Sequence, residues 1–260
     1  MRNIKLIIEY KGTGYNGWQR QKNTNRTIQG IIENTLKRIL KERVALVSSG
    51  RTDAGVHALG QVANFKTNSK LAAENIRRAL NALLPSDIII KRAEEARPSF
   101  HARFDAKSKL YRYIILNREY PSALWRNFSC FYHYPLEIKL MRRAARYLLG
   151  RHDFRCFQAA EKKPRDSIRT ITKLRILKLN SFIPALRVIP KSMPIDKGPG
   201  FIYIDIQADG FLYKMVRNIA GALIETGIKK QPPENIKKLL ALKNRKFSAP
   251  TAPASGLYLF

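Results

Sequence analysis

RVALVSSGRTDAGVHALGQVANFK, residues 43–66, decides how the first half of this chain is read. Its ends, 43–48 and 60–66, suit two strands. Between them Gly50 and Gly55 bracket Asp53, the sole acid between Glu42 and Glu74, with Arg51 two positions before it. Outward from this stretch, NIKLIIEY (3–10) alternates as a strand does. TIQGIIENTLKRILKE (27–42) sets Ile28, Ile31, Ile32, Leu36, Ile39 and Leu40 on one helical stripe. AAENIRRALNALL (72–84) is a second amphipathic helix ended by Pro85, and DIIIKRAEE (87–95) is a further strand. With two consecutive strands in its middle, the order is β-α-β-β-α-β, the split-βαβ or ferredoxin-like unit.

The second half repeats that order less cleanly. Strands are expected at 107–117 and 128–134, then a helix at 137–149 closed by Gly150 as a C-terminal cap residue. Strands at 169–179 and 200–209 precede a helix at 210–227, a short helix at 233–242 and a last strand, SGLYLF. The expected fold class is α+β: two ferredoxin-like halves, 1–106 and 107–260, sharing a largely antiparallel mixed sheet flanked by helices. RPSFHARFDA (97–106) bridges the halves. Residues 181–200 carry Pro184, Pro190, Pro194 and Pro199 and read as a long hairpin excursion.

Charge narrows the partner. Among 260 residues, 49 Lys and Arg face 19 Asp and Glu, a net charge of +30. The basic residues are spread over the whole chain, as on a folded surface that meets a polyanion. The hydrophobic fraction of 45% supports a packed core. No stretch reaches the roughly 18 apolar residues of a spanning helix, so no membrane is expected. MRNIKLIIEYKG enters a strand directly, which reads as a cytoplasmic chain without a signal peptide. Cys130 and Cys156 form no CxxC, and His57, His101, His133 and His152 form no ligand spacing, so no metal is expected. Neither GxxxxGK[ST] nor a strand-linked GxGxxG occurs, which argues against a nucleotide cofactor; KGTGYNG (11–17) reads as a flexible turn.

Three places invite chemistry, each with a structural alternative. GRTDAG is a tight turn, or it presents Asp53 as a carboxylate kept ionised by Arg51 and fit to act as nucleophile or base. Lys214, Arg217 and Asn218 lie at i, i+3 and i+4 on an otherwise apolar helix. They are a solvated face, or Arg217 reaches a carboxylate or phosphate. Tyr111 and Tyr113 share one side of a strand, for cross-strand packing or for stacking an unpaired base.

SGRTDAGVHALGQVANF resembles the signature of the tRNA pseudouridine synthases of the TruA type. YKGTGYNGWQRQ, TIQGIIE, FHARFDAKSKLYRY, HDFRCF, IRTI, DGFLYKMVRNIAGALIETG and APASGLYLF follow in the family's order over nearly the whole chain. The resemblance implies the pseudouridine synthase fold and an isomerase that converts uridine to pseudouridine without ATP, metal or redox cofactor. It implies a homodimer acting at positions 38, 39 and 40 of the tRNA anticodon stem-loop, on a flipped base. By the same resemblance Asp53 is the catalytic aspartate and Arg51 helps extrude the uridine. Tyr111 stacks on the base, Arg217 pairs with the aspartate, and Leu257 packs against the base. Lys11 departs from the family pattern, standing where an aspartate is usual, and the 181–200 excursion is longer than in many members.

Overall fold

The computed structural model describes residues 1–159, 166–179 and 200–260. All but Gly200 of the proline-rich excursion lies outside the described residues. The chain divides into two units, Met1–Lys109 with Tyr258–Phe260, and Leu110–Leu257.

In the first unit β1 (Arg2–Tyr10) is the middle strand, antiparallel to both β3 (His57–Thr67) and β4 (Ile88–Ala96). Leu6 faces Ala63 on one side and Ala93 on the other. Because side chains alternate across a strand, Ile4, Leu6 and Ile8 all point inward and are fully buried. They share the unit's core with Ile28, Ile32 and Leu36 of α1 (Ile28–Leu40) and with Ile76 and Leu80 of α2 (Ala73–Leu83). Thr27 caps α1 by accepting a hydrogen bond from the Gly30 N–H, and Lys41 ends it in the left-handed region. The last strand, β10 (Leu257–Leu259), runs parallel to β3, with Tyr258 opposite His57.

Two expected strands are shorter than the sequence implies: 128–134 is confined to Cys130–Tyr132, and 43–48 shrinks further. Only Val47–Ser48 pairs with β3, as β2. Just before it, the Leu46 N–H donates to the Glu33 carboxylate at 2.9 Å and the Leu46 carbonyl accepts from Gln29 at 3.2 Å. Side chains of α1 thus take the backbone groups that a ladder would have used.

The second unit holds β5 (Lys109–Asn117) from Leu110 onward, with β6 (Cys130–Tyr132) parallel beside it. β8 (Ile168–Leu179) is antiparallel to β9 (Phe201–Ala208) and to β7 (Gly150–Asp153). The strand order is β5-β9-β8-β7. The helices are α3 (Ile138–Arg146), α4 (Met215–Gly227) and α5 (Asn235–Leu242). α4 is buried almost all round, and Gly227 at its end leaves room for Leu136 and Met141; a Cβ there would lie 2.9 Å from the Leu136 side chain.

Two helix ends correct the sequence reading. α4 begins at Met215, not at Gly210, because Lys214 takes a left-handed φ of 59° and interrupts any helix running through it. Gly150 has a φ of 96°, yet it caps no helix: α3 ends four residues earlier, and Gly150 opens β7 opposite Ile171. Both the α+β class and the helical periodicities of the first half hold.

Leu36→Ala should destabilise the protein by about 2–5 kcal/mol, since its site is fully enclosed. Lys37→Ala on the exposed face of the same helix should change stability by no more than about 0.5 kcal/mol. Urea unfolding of both variants beside the parent checks the pair.

Candidate active site

The Asp53 loop is extended backbone held in place by its neighbours in the first unit. At its start the Gly50 carbonyl accepts from Ser48 Oγ at 2.8 Å and from Gln61 Nε2 at 2.5 Å. Gln61 is fully buried and also bonds Ser49 Oγ. Next, Thr52 is turned inward: its hydroxyl meets the Tyr10 hydroxyl at 2.8 Å, and its carbonyl accepts from the Trp18 N–H at 3.0 Å. Arg51 before it is exposed and Asp53 after it is half-buried. This is the alternation that an extended segment gives when its middle side chain is buried.

Beyond Asp53 the chain turns. The Val56 N–H donates to the Asp53 carbonyl at 3.2 Å, Gly55 adopts a φ of 81°, and its N–H donates to the Tyr15 carbonyl. That φ lies where L-residues other than glycine are strained. The turn reading of GRTDAG therefore holds for 53–56, while 51–53 is extended backbone with Arg51 outside and Thr52 inside.

KGTGYNG is not the flexible turn its glycines imply. Lys11 N–H donates to the Asp87 carbonyl, Tyr15 hydroxyl bonds the Asp87 carboxylate, and Asn16 N–H donates to the Arg26 carbonyl. Its glycines admit backbone instead. A Cβ on Gly12 would lie 1.9 Å from the Val56 carbonyl oxygen, and one on Gly17 would lie 2.8 Å from that of Thr52. Gly12 N–H also donates to His57 Nδ1 at 3.2 Å, and the His57 ring stacks on Tyr258 with centroids 4.7 Å apart. An Nδ1 that accepts carries no proton, so neutral His57 has its proton on Nε2. Tyr10, Gly12, Gly17, Trp18, Thr52, His57 and Gln61 were not singled out from the sequence as supports of Asp53. The three closely spaced glycines were the signal. Lys11 itself is exposed.

In the second unit Tyr111 lies on β5 and is only 7% exposed, edge-on to Phe211 with centroids 5.1 Å apart. Its neighbour Arg112 makes a two-pronged bond to Asp205, at 2.6 and 2.8 Å, and lies over the Tyr203 ring. Hydrogen bonding to that carboxylate holds the Arg112 guanidinium above its ordinary pKa. Tyr113 is fully buried and donates to the Pro253 carbonyl at 2.9 Å; burial pushes its phenol well above the ordinary value. Leu257 is buried where β10 begins.

Arg217 and Asn218 occupy the first turn of α4, and this is no solvated face. Arg217 is half-buried, with Nε donating to the Ala252 carbonyl at 2.8 Å, while Asn218 is fully enclosed. Tyr111, Arg217 and Leu257 thus sit on β5, α4 and the start of β10, and Asp53 and Arg51 on the loop into β3. Among the described residues, no group of three or more His, Cys, Asp and Glu side chains is placed to hold a metal ion, and no helix is long and apolar enough to cross a membrane.

An α+β chain with a lone carboxylate on a backbone-braced loop, in a strongly basic protein, has the makings of an RNA-modifying enzyme. The chain belongs to the tRNA pseudouridine synthase family, whose model matches residues 6–105 and 144–260. Arg51, Asp53, Arg217 and Leu257 fall within the match and Tyr111 falls between its two parts. Over 259 residues the chain is 44% identical to tRNA pseudouridine synthase A of Acetivibrio thermocellus, covering 100% of this chain and 98% of the relative. It is 43% identical to tRNA pseudouridine synthase A of Thermoanaerobacter sp. strain X514, with the same coverage. A solved Cbf5–Nop10–Gar1 complex covers 97% of this chain and 56% of that chain at 12% identity and a TM-score of 0.35, too distant to carry an argument.

Gly17→Ala combines a φ of 88° with a methyl driven onto the Thr52 carbonyl. It should lower stability by about 1–3 kcal/mol. Gly14→Ala, whose added Cβ would lie 3.6 Å from one guanidinium nitrogen of Arg26 and meet no backbone, should cost less. Thermal unfolding of both variants tests the difference.

Proposed function

We propose that this protein converts uridine to pseudouridine in tRNA, at positions 38, 39 and 40 of the anticodon stem-loop, with Asp53 as the catalytic carboxylate. The observation that carries the proposal is the loop around Asp53. Backbone bonds brace it on both sides of the aspartate, within a chain that is full-length kin to tRNA pseudouridine synthase A.

The reaction needs little beyond a placed carboxylate. The bond from N1 of uracil to C1′ of ribose breaks, the base turns, and C5 bonds to C1′. C5 loses its proton and N1 gains one, so the product is an isomer and no electron is gained or lost. A group with these duties has to be ionised, oriented and close to the sugar and base. The inward Thr52 ties down the backbone before Asp53, and the turn at 53–56 ties down the backbone after it.

The remaining roles follow the family likeness. Arg51, exposed beside Asp53, helps to hold the uridine out of its stack. Tyr111 offers a ring to the base, Arg217 supplies a cation to the reaction, and Leu257 an apolar contact. The first half, 1–106, thus brings the carboxylate, and the second, 107–260, the groups that handle the base. A homodimer in the cytoplasm completes the reading. The net charge of +30 supports a substrate held largely through its phosphates.

The deciding measurement is tritium release from tRNA labelled at C5 of uridine. Asp53→Ala and Asp53→Asn should each lose about 10³-fold or more in turnover while still binding tRNA. Turnover retained in both variants would overturn the proposal. Tyr111→Phe should bind tRNA like the parent, and Tyr111→Ala should bind it weaker by about 1–3 kcal/mol, as expected when a stacking ring is removed; gel-shift titration distinguishes them.

A further inference from the structure

Asn218 is a fully buried amide in the first turn of α4, and its bonds join three other segments. Nδ2 donates to the Phe157 carbonyl at 2.6 Å. Oδ1 accepts from Thr251 Oγ1 at 2.6 Å and from Arg245 at 3.2 Å. Arg245 also reaches Thr251 Oγ1 at 3.3 Å and the Ser248 carbonyl at 3.1 Å. A buried amide deprived of partners is costly, so these bonds form together or the site does not close.

Their common effect is to hold residues 248–253 as a strap along α4. Gly221, one turn beyond Arg217, permits the approach: a Cβ there would lie 2.1 Å from the Pro250 carbonyl oxygen. Between Thr251 and Pro253 sits Ala252, which brackets Arg217. The Ala252 N–H donates to the Arg217 carbonyl at 3.1 Å, and the Ala252 carbonyl accepts from Arg217 Nε at 2.8 Å. Tyr113 holds the next residue by donating to the Pro253 carbonyl.

We propose that Asn218, through Thr251 and the strap, is a positioning residue that sets the direction of the Arg217 guanidinium. A guanidinium is a flat fork, so fixing Nε on one carbonyl fixes the plane in which its other donors lie. The inference rests on the proposed part of Arg217 in the reaction. An amide that served only to stabilise the helix would alter unfolding and leave turnover by folded enzyme unchanged.

The test is a mutant cycle read by tritium release over a range of tRNA concentrations, with Thr251→Val, Arg217→Lys and the double variant. Thr251→Val keeps the shape and removes the hydroxyl. It should lower kcat about fivefold to tenfold with KM within about twofold. Arg217→Lys keeps the charge and lacks Nε, and in that background Thr251→Val should have no further effect. Equal losses in both backgrounds, or parental kcat in Thr251→Val, would overturn the inference. Asn218→Leu, shown folded by circular dichroism, removes the Oδ1 that accepts from Thr251 and should repeat the loss in kcat, and parental kcat there would also overturn it. Parental kinetics in Arg217→Lys would overturn the positioning role alone. Parental kinetics in Arg217→Ala would overturn the underlying reading of Arg217 and the inference with it.

Discussion

The close approach between Gly12 and the Val56 carbonyl is the constraint on which the placement of the Asp53 loop depends. β1 and β3 run antiparallel as far as Tyr10 opposite Ala58. Past that point the two chains no longer form a ladder, yet they stay in contact. Gly12 touches Val56, Gly55 bonds Tyr15, and Trp18 bonds Thr52. The sheet is extended by backbone bonds of irregular spacing, and Asp53 is carried on that extension. A side chain at position 12 would force the two segments apart, because a carbonyl oxygen 1.9 Å away is no flexible neighbour.

The same device recurs in the second unit. There a strap of residues without regular structure lies on α4 at Gly221 and is tied by a buried amide and a hydroxyl. The Asn218 amide and the Thr251 hydroxyl find partners in this way, as burial demands. Arg217 is thereby tied to backbone, its Nε donating to the Ala252 carbonyl. In both units a glycine permits the close approach, and backbone hydrogen bonds hold the Asp53 loop in one and Arg217 in the other.

Charge is distributed in keeping with this. Many acidic side chains are committed to nearby cations: Glu94 to Lys5 and Arg92, Glu95 to Arg2, and Asp205 to Arg112. Hydrogen bonding from Arg77, with Arg78 beside it, holds Glu74 down to about 2. Such exposed pairs add little to stability. Their consequence is for binding: the acids are largely answered within the fold, and the surplus of 49 basic over 19 acidic residues is what meets the solvent and a phosphate backbone.

Periodicity alone determined the helices and strands whose one face is buried. Ile4, Leu6 and Ile8, or Ile28, Ile32 and Leu36, repeat at the spacing of their element and need no distant partner to be recognised. GRTDAG also marked Asp53 directly, since a lone acid between glycines is a local pattern. Tertiary structure alone decided where elements stop and what braces the site. The strand expected at 43–48 lost its first residues to Glu33 and Gln29, and α4 started late because Lys214 left the helical region. Gly12, Thr52 and Asn218 gained their roles from neighbours 44, 42 and 33 residues away, namely Val56, Tyr10 and Thr251. A hydrogen bond across such a distance leaves no period in the chain, because only folding brings its two ends together.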